Sequence, residues 1–523
     1  MLAGIAVAQQ HDMQHMGPAQ GVGAVHFDNS CVPSARPIID GGLAFLYSFW
    51  FTQAHEYFAR AAQRDPACAI AYWGEAMSGY EQISGGGVPE GAQLKSGLAA
   101  IAKARAALEK TAREQSYVDA IAIIYDASIP GRDARVRRYS AAMGAIHAAY
   151  PADTQAAVIY AMSLLKDGMP ADPELRLAHQ SLGILNEVLT VEPDNPGVIH
   201  FIIHATDNPR MAPLGLDAAR RYAKVAPDAP HALHMPSHIF ARLGLWDEDI
   251  RSNLASAAAC ARPEVAHGAA ENLVHALDFL QYAYLQLGDE ERAAVIAREA
   301  AAIRPDDFSA GIARYYYVME SDFPAHLALE TGNWPAALAL QPLPGSDLGA
   351  RRLIYWAQAV AAGHLKDARA ASRAQSRLRE TYTPSQLAAN EADDLALWAE
   401  VRAWTLFAAG KTAEGSALLR PAADRQDAVG KGEVELPARE MIGDMLRLSG
   451  QPGQALVQYR KSLQTDPGRF NTLLHAGEMA EQLGLHQEAT GYYRALLHNA
   501  AHPTGGYLAR LRSVQAASLR SSQ

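Results

Sequence analysis

The chain has few of the features that would place it in a specialised class of protein. It has only three cysteines in 523 residues, and no apolar run long enough to cross a membrane as a helix. Its formal net charge of -10 argues against binding to nucleic-acid phosphates. Strand signals are scarce, and there is no phosphate-cradling glycine loop, HExxH motif or nucleophile motif. These absences leave a helical chain that is too long for one compact domain.

The first residues look like the end of a secretory signal peptide that lacks its charged start. Ala6-Val7-Ala8 matches an A-x-A cleavage site, which predicts a partial signal peptide over residues 1–8 and a periplasmic or secreted protein. Residues 9–26 are then expected to form a disordered Met/His leader. Its imidazole and thioether donors suit copper. A disordered polar leader without a metal role is the alternative.

A longer pattern is superimposed on the helical spacing of apolar residues. A small residue is followed by a turn glycine, an alanine, an aromatic residue and a proline. The clearest copy is Gly443, Gly450, Ala455, Tyr459 and Pro467. The turn glycine of the next copy, Gly484, comes 34 residues after Gly450. This pattern resembles the tetratricopeptide repeat (TPR), in which two antiparallel helices pack closely at the small residues.

The resemblance implies an all-α fold, an α-solenoid of degenerate TPR-like helix pairs that is superhelical and has a concave groove. In the N-terminal copy, which begins at Gly42, Phe49 occupies the position of the turn glycine. Further turn glycines are predicted at Gly244, Gly288, Gly332, Gly363 and Gly410. The proline- and glycine-rich stretch 340–349 predicts a boundary. It would separate an N-terminal TPR-like region over 27–340, which carries a histidine cluster, from a C-terminal TPR region over 350–515 without clustered chemistry.

The three cysteines allow three single pairings, and the sequence does not choose among them. Cys31 and Cys68 flank the first repeat and can pair in an oxidising compartment, in which case Cys260 would have no disulfide partner. All three can equally be reduced, small apolar residues.

Five histidines fall in two short neighbouring segments. His231, His234 and His238 lie at i, i+3 and i+7, which places them within an arc of about 60° on a helix. His200 and His204 precede them at i, i+4. A lone histidine in a groove usually packs or donates a hydrogen bond, but five at helical spacing favour a metal site.

The histidines can be phased on the turn glycines. At equal distances before the turn, His231 corresponds to His275, and His234 corresponds to Asp278. The TPR resemblance implies that these first-helix positions line the concave groove. Neighbouring helices about 8–10 Å apart then bring imidazoles from adjacent units to one ion.

We therefore predict a site for a divalent transition metal, with copper or zinc favoured over iron. Its six predicted ligands are His200, His204, His231, His234, His238 and His275. They exceed the four ligands of a closed zinc site, so either two ions bind, or some of these residues orient the ligands, or some only pack. Asp207 and Asp278 are candidates for a catalytic base or a further ligand. Pro236 either kinks the histidine helix or starts it, in which case His231 and His234 lie on a loop. The alternatives are a hydrogen-bonded polar groove without metal and anion binding by protonated imidazoles.

Several stretches also resemble a family of uncharacterised, often exported bacterial TPR proteins. They are residues 26–31, 44–78, 200–209, 222–253 and 275–288, and the resemblance covers about residues 26–330. Relatives often carry His-Pro after the AYWGEAMS stretch, but residues 80–87 contain no histidine. No ligand is therefore expected from that loop.

Together these patterns predict an exported, metal-binding TPR protein whose concave site binds or transforms a small molecule. If it is an enzyme, a metal-dependent hydrolase or oxidoreductase is expected. A non-catalytic scaffold that binds a peptide or protein partner is one alternative. Periplasmic copper handling is another.

Overall fold

The computed structural model describes residues 19–80, 88–168, 172–262, 265, 269–304, 313–389, 396–432 and 434–520. Every regular element within these residues is an α-helix, as the repeat pattern predicts. The chain divides into two compact units. Unit 1 comprises Met1–Met169, Leu177–Ile202 and Lys224–Ala229, and unit 2 comprises Pro170–Arg176, Ile203–Ala223 and Pro230–Gln523.

The helices of unit 1 are α1 (Arg36–Tyr47), α2 (Phe51–Arg64), α3 (Ala69–Gly79), α4 (Gly91–Ala106), α5 (Ala112–Tyr125), α6 (Arg132–Ala149), α7 (Thr154–Gly168) and, apart from its first residue, α8 (Arg176–Leu189). Two helices have residues in both units, α9 (Pro196–Thr206) and α10 (Ala212–Val225).

The helices of unit 2 are α11 (Pro230–His234), α12 (Pro236–Leu243), α13 (Trp246–Cys260), α14 (Ala270–Gln286), α15 (Glu290–Ala300), α16 (Ala313–Glu330), α17 (Trp334–Ala339), α18 (Leu348–His364), α19 (Ala368–Arg379), α20 (Pro384–Ala389), α21 (Ala396–Ala408), α22 (Thr412–Val429), α23 (Ala438–Leu448), α24 (Pro452–Thr465), α25 (Phe470–Gln482), α26 (His486–Asn499) and α27 (Gly505–Arg520). Among the described helices of both units, none combines the length and apolar composition that a membrane crossing needs.

Consecutive helices pair because a small residue on one accepts an aromatic ring from the next. A Cβ atom added to Gly443 on α23 would lie 2.5 Å from a ring carbon of Tyr459 on α24. The same atom at Gly477 on α25 would lie 2.2 Å from Tyr493 on α26. Both distances are shorter than a van der Waals contact, so only glycine allows this approach. The small and aromatic positions predicted from the repeat are confirmed.

The turns between paired helices follow the predicted pattern, except at Gly363. Phe49 fits the pattern, because its φ of 52° is the left-handed conformation of the turn glycine that it replaces. Gly363 was wrongly predicted as a turn residue, because it lies inside α18. A Cβ atom there would lie 2.2 Å from the ring of Trp404, so this glycine serves helix packing. The left-handed residue of that turn is Lys366, with a φ of 55°.

The loop at 340–349 does not separate compact units. It lies inside unit 2, and helices before and after it, among them α16 and α18, share one buried apolar cluster. Phe323 and Leu329 enter this cluster from α16, and Trp356 and Val360 enter it from α18. The predicted boundary was wrong because a turn in the chain says nothing about whether its neighbours share a core.

The N-terminal part of unit 1 is ordered from the first described residue. The predicted signal peptide and the first half of the predicted leader lie outside the described residues. Val22 is fully buried, and the Ala24 N–H donates to the carbonyl of Asp194. The disorder predicted for residues 9–26 therefore does not extend to residues 19–26. Cys31 and Cys68 form a disulfide, and Cys260 is a free, buried thiol.

Candidate metal centre

The predicted histidine helix is broken at one residue. α11 ends at His234 and α12 begins at Pro236, so Met235 lies between two short helices. Proline has no N–H to donate and fits the first turn of a helix, which explains why α12 begins there. Of the two roles predicted for Pro236, the start of a helix is therefore the one observed, and the three histidines do not share one continuous helical face. His231 and His234 lie on α11 rather than on a loop, and His238 lies on α12.

His234, His238 and His275, the histidine trio, converge in unit 2. Each offers one ring nitrogen, and these three nitrogens lie within 4.8 Å of one another. The ring centroid of His275, on α14, lies 4.3 Å from that of His234 and 5.8 Å from that of His238. The Nε2 atoms of His234 and His238 are 3.0 Å apart. Two nitrogen ligands of one ion, each at about 2.0–2.1 Å, lie roughly 2.8–3.4 Å apart at right to tetrahedral angles. The observed spacing matches that range.

The ring of His234 is oriented from α13. Its Nδ1 lies 2.6 Å from Oδ1 of Asn253. The Asn253 amide nitrogen donates to the carbonyl oxygen and to Oδ1 of Asp249, which turns the amide oxygen toward the ring. Because that oxygen can only accept, Nδ1 of His234 carries the proton. The lone pair is then on Nε2, which faces His238.

The ring of His238 is oriented in the same sense by a carboxylate. Its Nδ1 lies 2.9 Å from Oδ2 of Asp207, and the guanidinium Nε of Arg242 donates to Oδ1 of Asp207 at 3.0 Å. Asp207 therefore lies behind the ring and not among the converging nitrogens. It holds the proton on Nδ1 and leaves Nε2 as an acceptor. This position argues against the predicted role of Asp207 as a ligand or a base.

The surroundings of His234 disfavour its charged form. Burial, together with the neighbouring rings of His275 and His238, holds the pKa of His234 well below its ordinary value. Phe279 on α14 covers the rings, with its centroid 4.9 Å from those of His234 and His238. A neutral imidazole is the form that binds a metal ion.

The other three predicted ligands are not members of the histidine trio. His200 is a residue of unit 1, where its Nδ1 lies 2.6 Å from the carbonyl oxygen of Tyr47 and its ring packs against Phe49. In unit 2, the ring of His204 lies 6.5 Å from that of His238, and the ring of His231 lies 6.1 Å from that of His234. The histidine trio thus contains three of the six predicted ligands.

Asp278 does not join the histidine trio, although phasing predicted it as the counterpart of His234. It lies one turn after His275 on α14, where it meets Asp322 and His326 of α16. Equal distances from the turn glycine do not give equal directions, because the first histidine helix is broken and α14 is continuous. The correspondence was wrong for that reason.

The C-terminal region was predicted to hold no clustered chemistry, and this was also wrong. The carboxylate of Asp444 on α23 accepts hydrogen bonds from the hydroxyl of Tyr459 at 2.6 Å and from Arg447 at 3.4 Å. Nδ1 of His475 lies 3.1 Å from the same oxygen. Burial alone would raise the pKa of Asp444, but the charges of His475 and Arg447 hold it well below its ordinary value. This carboxylate is therefore ionised at neutral pH.

A cavity of about 310 Å³ opens beside Asp444, and an aromatic stack forms part of its wall. The ring of Trp334 lies on that of His364 with centroids 3.7 Å apart, and His364 lies 4.6 Å from Trp404. Burial lowers the pKa of His364 to about 4, so the stack is uncharged at neutral pH.

The polar residues around the histidine trio and around Asp278 were not predicted from the sequence. Asn253 and Asp249 are an i, i+4 pair on α13, and Asp322 and His326 are an i, i+4 pair on α16. A pair of polar residues at helical spacing on a helix next to a histidine segment is the signal that could have found them.

No family model matches the chain, and no curated protein matches it. Among solved structures, the chain is similar to one described as the crystal structure of the APC/C hetero-tetramer Cut9-Hcn1. The identity is 10%, the match covers 93% of this chain and 77% of that chain, and the TM-score is 0.32. It is also similar to the P58(IPK) TPR domain, with 15% identity, 71% of this chain and 99% of that chain covered, and a TM-score of 0.20.

Both TM-scores are low, so the fold assignment rests on the helix pairs of the chain itself. The chain is an all-α array of TPR-like helix pairs. The glycine–aromatic contacts between paired helices define the repeat.

Proposed function

We propose that this TPR-like chain binds a divalent transition-metal ion through His234, His238 and His275. The observation that carries the proposal is the pair of Nε2 atoms 3.0 Å apart, each on a ring whose Nδ1 faces an acceptor. Such acceptors behind a ring are the usual outer partners of metal-bound histidines. Three imidazoles suit zinc or copper, and iron is the third choice.

The competing explanation is a hydrogen bond between the two rings. One Nε2 would then carry a proton, and that ring would either be charged or have given up the proton on its Nδ1. Burial and the neighbouring imidazoles disfavour a charged His234. Asp207 and Asn253 favour a proton on each Nδ1. A cation between the two lone pairs satisfies both rings without charging either of them.

A tetrahedral ion with three imidazole ligands keeps one open position, as catalytic sites do. An ion of this kind activates water, which suits a hydrolase, and copper or iron would suit an oxidoreductase. We propose export to the periplasm or beyond, and the disulfide between Cys31 and Cys68 supports an oxidising compartment. We also propose a small molecule as the species that the ion contacts.

The test is zinc binding by the full chain after removal of metals with a chelator. Titration calorimetry near neutral pH is expected to show saturable binding that loses one equivalent in His238→Ala and in His275→Ala. The matched control is His486→Ala, because His486 is an exposed histidine of the same unit. Equal zinc binding by all four proteins would refute the proposal.

A second candidate function is that of a scaffold for a peptide or protein partner. The cavity beside Asp444, with its aromatic stack, favours this function, since stacked rings are rigid anchors at low entropic cost. Selection of a displayed peptide library against the full chain tests it. Binding of the selected peptides should be lost in Trp334→Ala, whose side chain is partly exposed at the cavity wall, and retained in His486→Ala.

Copper handling by the leader is a third candidate. Its first ten residues lie outside the described part of the chain, so the support is the sequence of imidazole and thioether donors alone. Deletion of residues 9–16 is expected to reduce the copper bound per chain. An unchanged copper content would exclude the leader from this function.

A further inference from the structure

A second cluster of metal-ligating side chains lies in unit 2 and shares helix α14 with His275. Asp278 of α14 faces Asp322 and His326 of α16, and one ligand atom from each lies within 4.8 Å of the others. Nδ1 of His326 is 3.4 Å from Oδ2 of Asp322. The three residues are buried, with 6%, 9% and 4% of their surfaces exposed. We call them the carboxylate trio.

We propose that the carboxylate trio is a second metal site, which takes a harder divalent cation than the histidine trio does. Two carboxylate oxygens and one imidazole nitrogen converge on one buried point, which is the donor set that manganese and ferrous iron accept. This proposal goes beyond the proposed function, because the ligands are different residues and the donor set is mixed oxygen and nitrogen.

The charge balance of the cluster supports a cation. Two carboxyl groups that are buried with their oxygens within 4.8 Å of each other repel when both are ionised. One imidazole beside them brings at most one positive charge. A divalent ion would balance both carboxylates.

The two trios are neighbours along α14. His275 and Asp278 are three residues apart on that helix, so their Cβ atoms lie about 5–6 Å from each other. The first contributes nitrogen to an all-imidazole set, and the second contributes oxygen to a mixed set. The difference in donors predicts that softer ions bind at the histidine trio and harder ions at the carboxylate trio.

The test is manganese binding by the metal-free full chain, followed by electron paramagnetic resonance of free Mn²⁺. Wild type is expected to bind one equivalent. In Asp322→Asn and His326→Gln the affinity should fall by at least about 100-fold, because even the loss of an outer partner costs roughly 10–100-fold. Glu320→Gln is the matched control, since it removes a carboxylate from the same helix outside the trio. His238→Ala should bind manganese with the affinity of wild type. This result would distinguish a site at the carboxylate trio from the proposed site at the histidine trio.

Asn at position 322 retains the shape of a protonated carboxyl group, so the variant is expected to fold, and circular dichroism checks this. No saturable manganese binding by wild type would overturn the proposal and leave a hydrogen-bonded carboxyl pair. Equal affinity in wild type and in a folded Asp322→Asn variant would overturn it as well. Loss of manganese in His238→Ala would show that the ion belongs to the histidine trio.

Discussion

The substitution Asn253→Leu tests the orientation of His234 without touching a proposed ligand. Asn253 is completely buried, and its Oδ1 is 2.6 Å from Nδ1 of His234. Leucine has a similar volume but no acceptor, so the ring loses the partner that holds the proton on Nδ1. Its tautomer and its angle are then no longer set. The lone pair of Nε2 should face His238 for only part of the time.

The expected magnitude follows from the partners lost. Loss of an outer partner of a metal-bound histidine weakens metal binding by roughly 10–100-fold, or about 1.4–2.7 kcal/mol. The metal-free chain should also unfold more easily, by about 1–3 kcal/mol, because a buried donor on His234 is left unsatisfied. Ser237 reduces this loss, since its hydroxyl lies 3.4 Å from the same Nδ1.

Two measurements check the prediction, zinc titration of the metal-free chain and its unfolding in urea. Ser252→Ala is the control, because the Ser252 hydroxyl donates to the carbonyl of Leu233 on α11 without contacting the ring of His234. It should bind zinc like wild type. If Asn253→Leu is folded and binds zinc within about twofold of wild type, a change well below the range expected for an outer partner, His234 is not a ligand held by Asn253.

Two further predictions concern packing and pH. Gly477→Ala places a Cβ atom 2.2 Å from the ring of Tyr493 and should lower the free energy of unfolding by about 1–3 kcal/mol. Gly491→Ala, on the next helix and in open space, should raise it by about 0.5–1 kcal/mol, and equal changes in urea midpoint would refute the packing argument. Burial raises the pKa of Glu400, which accepts from the Trp356 indole, to about 8. Since the folded pKa is raised, wild type should lose stability as pH rises from 4.5 to about 8, by at most about 1.4 kcal/mol per unit, whereas Glu400→Gln should lack this slope in melting temperature.

The repeat could be predicted from the sequence because close helix packing restricts residue type. Only glycine fits where Gly443 and Gly477 meet their aromatic rings, so the positions are visible in the sequence. Gly363 was misassigned because a glycine near a helix end can serve either close packing or a turn. The residue type alone does not distinguish these two roles. The boundary at 340–349 was wrong for a related reason. Prolines and glycines indicate where the chain turns, but they do not indicate whether the helices on either side share one core.

The residue types of the candidate metal centre were predictable, but their grouping was not. Spacing and phasing selected His234, His238 and His275, which converge in the structure. Phasing failed for Asp278 because it treats every repeat as one straight helix. Pro236 breaks the first helix of one repeat, so the directions of side chains at equivalent positions differ.

The orientation of the imidazoles is the part that no spacing could supply. A histidine can bind a metal through either ring nitrogen, and the choice depends on what the other nitrogen contacts. For His238 that contact is Asp207, which is 31 residues away in the chain, and for His234 it is Asn253, which is 19 residues away. Both contacts are ordinary polar residues that carry no motif. The two Nε2 atoms face each other because acceptors that are distant in the sequence contact the two Nδ1 atoms. This arrangement is what favours a metal centre over a row of packed histidines.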